Sequence, residues 1–398
     1  MGHDSAGPTS LGSRHAGTVR SSLRMALLAG AAVLGLFGRV PAAHAEAPPD
    51  RMASLARGIN VAHWFRFPAD GSLRALREHM DDAAAASLKR AGFTYVRLAV
   101  GPEVVMQGSR IERDRLAAIV AAVERFQKAG LAVMVEPHPQ NLGNWDLQES
   151  AQARQNLLGF WRDLAPALAH LPPGLTFPEV VNEPTFADPA KWDQMQAELV
   201  GLIRRSLPQN TIVLAGADWS SIDGLLRVKP VADRNVVYSF HTYEPQILTL
   251  LASWEQGVDT RAMGKLPFPV TDRAKCEAAV ASIEHERTRA IANYWCSERH
   301  DAASVAANLD RAVRWGREHR VSVALTEFGA AQALNDTART AYLEAVRRAA
   351  EQARIGWALW ALDDSMGFAV PAGRYTASTR LHPGIMKALG LPAPGSAR

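Results

Sequence analysis

The chain has no apolar run long enough to cross a bilayer. Its longest, Met25 to Gly38, is about 14 residues, against the roughly 20 that a spanning helix needs. No cysteine follows that run to carry a lipid, and Arg20 and Arg24 are not adjacent, so no twin-arginine export signal is evident. There is no Gly/Ser-rich or Pro-rich linker inside the chain and no fixed-period repeat, which argues against joined domains and solenoids. Excess charge is missing once the N-terminus is set aside. Of 44 Lys+Arg and 40 Asp+Glu, residues 1–45 hold Arg14, Arg20, Arg24, Arg39 and Asp4, leaving 40 basic and 39 acidic residues. That balance gives no support for a nucleic-acid or anionic-membrane partner and suits an uncharged substrate.

What is present begins with Arg14, Arg20 and Arg24 ahead of the apolar run, then Ala43-His44-Ala45 before Glu46. This is the pattern of a secretory signal peptide over residues 1–45, with a retained anchor as the alternative. It predicts an exported protein, periplasmic or extracellular, with no membrane span once the leader is removed. Ala47-Pro48-Pro49-Asp50 reads as a short spacer. The remaining residues, 46–398, exceed the usual single core, but α/β barrels reach this size as one domain. A single catalytic domain and a monomer are the economical expectation.

Strand candidates recur along the chain at residues 57–62, 93–99, 131–136, 177–182, 211–216, 235–241, 321–327 and 355–361. Most are apolar without clean alternation, as strands buried on both faces are. Between them, 112–129, 150–169, 190–206 and 337–353 carry apolar residues three and four apart, the period of amphipathic helices. Eight such units predict a (β/α)8 TIM barrel of the α/β class, with an open doubly wound sheet as the runner-up. One connection is anomalous. From Thr242 to about Arg320 the chain runs nearly 80 residues before its next strand, which predicts an insertion after the sixth strand with helical pieces near 272–295 and 301–318. The only cysteines, Cys276 and Cys296, fall inside it. In an exported protein a disulfide between them is favoured over a metal site or a thiol nucleophile.

Two segments carry the chemistry. Val180-Val181-Asn182-Glu183-Pro184 and Ala324-Leu325-Thr326-Glu327-Phe328-Gly329 each run an apolar stretch into a glutamate and then a chain-turning residue. Carboxylates at the carboxyl ends of barrel strands occupy the catalytic face, and a pair of them suits acid/base and nucleophile roles in cleaving a glycosidic bond. The other strand ends offer Arg97, His138, Trp219, His241 with Tyr243, and Trp360. Taken singly these are weak signals; their shared rim gives them weight.

The order Arg97, His138, Asn182-Glu183-Pro184, His241-Thr242-Tyr243, Glu327 and Trp360 resembles glycoside hydrolase family 5, the cellulase family of retaining barrel glycosidases. The likeness runs from Arg57-Gly58-Ile59-Asn60 to Trp360. It implies Glu183 as general acid/base and Glu327 as nucleophile, the first protonated at the start and the second ionised. Arg97 and Tyr243 would keep Glu327 charged and oriented, and Asn182 would bond the sugar 2-hydroxyl. His138 and His241 carry over as site residues, and Trp360 would be the floor on which the reacting sugar stacks. Trp219 and Trp64 are candidate further platforms, whereas Trp161, Trp192 and Trp315, inside helical patterns, read as core. Pro184 is expected to hold Glu183 extended. One departure stands out: many members have an aspartate two residues before the third-strand histidine, where this chain has Glu136-Pro137-His138. The resemblance implies a metal-independent enzyme without cofactors, acting on a β-linked polysaccharide or oligosaccharide, with endo-β-1,4-glucanase the leading specificity. Exo-acting β-1,3-glucanase or β-glucosidase, or β-mannanase, are the alternatives on the same barrel. Two rival classes are a metal-dependent amidohydrolase-type barrel drafting His138, His241 and Glu327, and an inactive glycan-binding barrel; the first lacks a His-x-His motif on strand one, where Asn60-Val61-Ala62-His63 stands.

Overall fold

The computed structural model of the chain describes residues 46–140, 145–367 and 375–392. The expected leader at 1–45 lies outside the described residues. All eight expected strands form, as β1 Arg57–Phe65, β2 Tyr95–Val100, β3 Ala132–Pro137, β4 Thr176–Pro178, β5 Ile212–Ala215, β6 Val236–Thr242, β7 Ser322–Phe328 and β8 Gly356–Leu359. They pair in parallel in the order β4-β3-β2-β1-β8-β7-β6-β5. A single bridge just past β4, Glu179 with Val213, brings the two edges of this sheet together, so the barrel is nearly closed. Pro178 and the sharp turn that follows keep β4 to three residues.

Helices cover the outside, among them Arg113–Lys128, Ala151–Leu168, Pro189–Arg204, Ala302–His319 and Asp336–Gln352. Their starts are marked by side-chain caps that satisfy the first free N–H groups: Ser150 accepts from the Ala153 amide, Asp188 from Ala190 and Asn335 from Ala338. Asp301 and Ser304 form a reciprocal capping box.

Because side chains alternate along a strand, every second residue fills the barrel interior. Tyr95, Met134, Phe177, Val213, Val237, Ala324 and Ala358 pack there as an apolar layer. Gly58 leaves room for the Tyr95 ring: a Cβ at this position would lie 2.3 Å from the ring's Cζ. Two residues further along, six of the eight strands present Asn60, Arg97, Glu136, Glu179, Ser239 and Thr326, all buried and polar, with Ala215 and Trp360 completing the layer. The barrel thus changes from apolar to polar within one pleat, toward the carboxyl ends of its strands. By the same alternation Glu327, next to Thr326, belongs on the helix side. A one-residue register shift corrects this: Phe240 pairs with Leu325 but His241 with Glu327, so Thr326 is the extra residue of a bulge that re-aims Glu327 inward.

The excursion after β6 is smaller than the sequence suggests. Ala302–His319 is the barrel's own helix after β6, so the insertion is 243–301, and the expected piece at 272–295 is two helices, Arg273–Val280 and Glu286–Ser297. Cys276 and Cys296 join these two helices in a disulfide, with Cα atoms 5.4 Å apart. Val270 and His300 exchange backbone hydrogen bonds across the base of the excursion, and Trp295 stacks on His300 beneath them at 3.7 Å between ring centroids.

Candidate active site

Arg97 stands at the centre of the polar layer and is fully buried. All five of its N–H donors are used. Nε and Nη2 grip both oxygens of Glu179 at 2.6 and 3.0 Å, and Nη2 also reaches Asn182 Oδ1 at 2.9 Å. Nη1 donates to Asn60 Oδ1 at 3.0 Å and to Glu327 Oε1 at 2.5 Å. Burial pulls the guanidinium pKa down, but Glu179, Glu136 and Glu327 together outweigh it and raise the pKa well above the ordinary value, so the charge is permanent.

Glu327 receives its second hydrogen bond on the other oxygen, from the Tyr243 hydroxyl at 2.8 Å. Burial, and then the negative charge of Glu327, push the Tyr243 pKa well up, so this phenol stays a donor. Glu183 faces Glu327 across the cleft. It is half-buried and its Oε1 lies 2.9 Å from His241 Nδ1, while His241 Nε2 meets the Thr326 hydroxyl at 3.1 Å. The expectation that Pro184 holds Glu183 extended is overturned: Glu183 has φ +42°, the left-handed region. The strand has already ended at Pro178, and the left-handed turn is what lets Asn182 and Glu183, adjacent in sequence, both reach the cleft.

Trp360 closes the floor, 6% exposed, with its indole N–H donating to Asp364 and its ring centroid 5.3 Å from that of His138. Its peptide bond to Ala361 is cis. Arg66 lies against the same ring, Cζ 5.4 Å from the centroid, and is also 4.4 Å from the Phe67 centroid. Trp219 is 49% exposed and, with Glu183, Gln246, Asn308 and Arg311, lines a cavity of about 510 Å³ on the Glu183 side.

Trp64 corrects the sequence reading. It is 1% exposed, donates its indole N–H to the Leu76 carbonyl at 2.6 Å and stacks between Phe65 and His79, so it packs the core and offers no open face to a sugar. The exposed aromatic of this segment is Phe67, at 40%. Trp161, Trp192 and Trp315 are buried.

Three site residues were not singled out by the sequence. Glu179 is the main counter-charge of Arg97, and Asn60 braces it from the first strand. The signal for Glu179 was a carboxylate inside an otherwise apolar strand candidate, together with an arginine in another that had to be neutralised. Asp363 was the third. Its carboxylate accepts from the backbone N–H of Ala62 at 3.1 Å and of His63 at 3.4 Å, yet burial dominates and lifts its pKa to about 6. A raised acid holds its proton in the folded chain after the unfolded carboxyl, at 3.8, has lost it, so this group's stabilising contribution falls as pH rises from about 4 to about 6. Asp363→Asn should remove that decline; urea midpoints of both proteins at pH 4 and 6.5 check it, and an unchanged difference between the two pH values would refute it.

Among the described residues, one group has donor atoms close enough to hold a metal ion: Glu183, His241 and Glu327, within 4.8 Å of one another. The oxygens of Glu327 already accept from Arg97 and Tyr243. His138 is not part of that group. Its Nδ1 lies 2.7 Å from Glu136 and its Nε2 2.8 Å from Asn182 Nδ2, so neither ring nitrogen is free for the metal set of an amidohydrolase-type barrel.

A nearly closed parallel barrel with two glutamates at the carboxyl ends of β4 and β7, one of them clamped by arginine and tyrosine, defines a barrel glycosidase class. The comparisons agree: residues 58–366 match the cellulase family, glycosyl hydrolase family 5, and the chain belongs to it. Endoglucanase 3 of Fibrobacter succinogenes is 26% identical over 335 residues, covering 78% of this chain and 49% of that protein. Cellodextrinase A of Ruminococcus flavefaciens is 27% identical over 201 residues, covering 48% of this chain and 59% of its own. The chain therefore spans about half the length of these curated relatives. Among solved structures, Thermotoga maritima Cel5A in complex with cellobiose superposes with a TM-score of 0.68 at 20% identity, covering 85% of this chain and 99% of that one. Among the described residues no helix is long and apolar enough to cross a membrane.

Proposed function

We propose that the chain is an exported, retaining β-glycosidase that hydrolyses a β-linked glucan, with endo-β-1,4-glucanase its specificity. The observation that carries the mechanism is the separation of the two carboxyls: oxygens of Glu183 and Glu327 approach within 4.8 Å. Retaining enzymes hold their carboxyl groups about 5 to 5.5 Å apart, whereas inverting ones need about 6.5 to 9.5 Å to seat a water between sugar and base. Glu183 gives its proton to the leaving glycosidic oxygen while Glu327 attacks the anomeric carbon. The C–O bond to the leaving sugar breaks as the bond to Glu327 forms. Water, deprotonated by Glu183, then attacks the same carbon and releases Glu327. Arg97 and Tyr243 act on the nucleophile from two sides, and Asn182 is placed to bond the sugar 2-hydroxyl. Trp360 floors the reacting subsite, while Trp219, past Glu183, serves the leaving side. The β-1,4-glucan assignment rests on family membership and on the endoglucanase and cellodextrinase names of the curated relatives.

Two measurements test this. Proton NMR of a fresh digest should show the β-hemiacetal first, with the α-anomer appearing only by mutarotation; α first would overturn the retaining mechanism. On a panel of soluble β-1,4-glucan, β-1,3-glucan and β-mannan, product sizing should show oligosaccharides of mixed length from the first. Glucose or cellobiose released alone from chain ends would replace the endo assignment with an exo one, and faster turnover of mannan or β-1,3-glucan would replace the sugar or linkage.

A further inference from the structure

We propose that Glu136 is a positioning residue that sets the proton on His138 and, through it, aims the amide of Asn182 at the sugar 2-hydroxyl; this rests on the retaining glycosidase reading above.

Arg97 can only donate hydrogen bonds. Its Nη2 lies 2.9 Å from the side-chain amide of Asn182, so the atom facing it must be Oδ1. The amide nitrogen Nδ2 is thereby turned toward His138 Nε2, at 2.8 Å. Nδ2 carries two hydrogens and no free lone pair, so Nε2 has to be the acceptor and the ring proton has to sit on Nδ1. From there it points at Glu136 Oε1, 2.7 Å away. Burial, reinforced by Arg66 and Arg97, pushes the His138 pKa well below its usual value, in keeping with a neutral ring that carries a single proton.

The circuit then closes on itself. The Glu136 oxygen that accepts from His138 is also 3.6 Å from Arg97 Nη1. Arg97, Asn182, His138 and Glu136 form a ring of four buried side chains in which each orientation dictates the next. One hydrogen of Asn182 Nδ2 is spent on His138, and the second is left for a substrate hydroxyl. Were the ring proton on Nε2, it would face the Asn182 amino group. The amide would then have to rotate away or flip its oxygen off Arg97, and the donor offered to the 2-hydroxyl would be lost. A glutamate at position 136 prevents this, because it presents an acceptor to Nδ1 on a β3 strand already fixed by pairing Ala99 with Glu136.

The test compares Glu136→Gln with Glu136→Met on two aryl β-glycosides that differ only in the 2-hydroxyl. Gln keeps a carbonyl that Arg97 and His138 can both use, so it should stay within about threefold of wild type on both substrates. Met removes the acceptor. It should lower kcat on the 2-hydroxy substrate by about 10- to 100-fold, with KM little changed, the scale of a misaimed contact. On the 2-deoxy substrate Met and wild type should agree within about twofold. Equal losses on both substrates would overturn the proposal, because a merely structural Glu136 affects them alike. If the Met variant does not fold, 15N NMR of histidine-labelled wild type decides: His138 must titrate as the Nδ1–H tautomer, and the Nε2–H form refutes the relay. An α-anomeric first product would sink the retaining reading itself, and that outcome is independent of both.

Discussion

Replacing Glu327 by alanine should lower kcat by at least about 10⁴-fold on any glycoside the protein turns over, since removal of a nucleophile that acts in concert with its partners costs most of their joint effect. The fold should survive. Glu327 is one of three carboxylates facing Arg97, and Glu179 still grips the guanidinium on two donors when it is gone. The space left beside the anomeric carbon admits a small anion, so azide or formate should restore part of the rate. The azide product is expected to be the α-glycosyl azide, because a single displacement inverts. Near wild-type turnover in Glu327→Ala removes the nucleophile assignment, and a rescued product of β configuration would mean that another group still forms the covalent intermediate. An activity that survives in the variant but disappears on exhaustive chelation would return the amidohydrolase-type reading.

The second large effect is on stability. Arg97→Met should destabilise the protein by about 3 to 5 kcal/mol, the usual result of removing one partner of a buried ion pair. Glu179 and Glu136, fully buried, would keep their desolvation penalty and lose their counter-charge. Burial already raises the Glu136 pKa well above the carboxylate range, so part of the cost is met by proton uptake and should shrink at low pH. Adding Glu179→Gln should recover a substantial share, since it removes the carboxylate that Arg97 held with two bonds. Urea denaturation followed by circular dichroism measures all three proteins. If Arg97→Met loses less than about 1 kcal/mol, the cation is not what neutralises this layer.

The barrel was legible because its strands are apolar on both faces and its helices keep a helical period, signals that survive without knowledge of any loop. Both catalytic candidates were legible for the same reason: each ends an apolar run. What escaped depended on where strands stop. The first strand reads as ending near residue 62, but β1 continues to Phe65; its register against β2 slips between Val61 and Phe65, which breaks the alternation and turns Trp64 out to the helix-side core together with Phe65. At the fourth strand the error ran the other way. A pre-proline glutamate is normally extended, and tertiary contacts hold Glu183 left-handed instead. The bulge at Thr326 is invisible to periodicity, since it is a mismatch between neighbouring strands and not a property of either sequence. Glu179 was within reach: an arginine buried in β2 asks for a carboxylate, and the chain supplies one four residues before Glu183.

Arg97 touches side chains from β1, β3, β7 and the segment just past β4, and the proposed catalytic set is divided between the two halves of the chain. Arg97, Asn182 and Glu183 belong to the first half; His241, Tyr243, Glu327 and Trp360 belong to the second. Neither half-barrel contains both carboxylates, so no four-strand ancestor or fragment of this design would cut a glycosidic bond alone. Two separately produced halves would have to recombine before either showed activity, and the Arg97–Glu327 bond, spanning 230 residues of sequence, is the contact across which that complementation would be read.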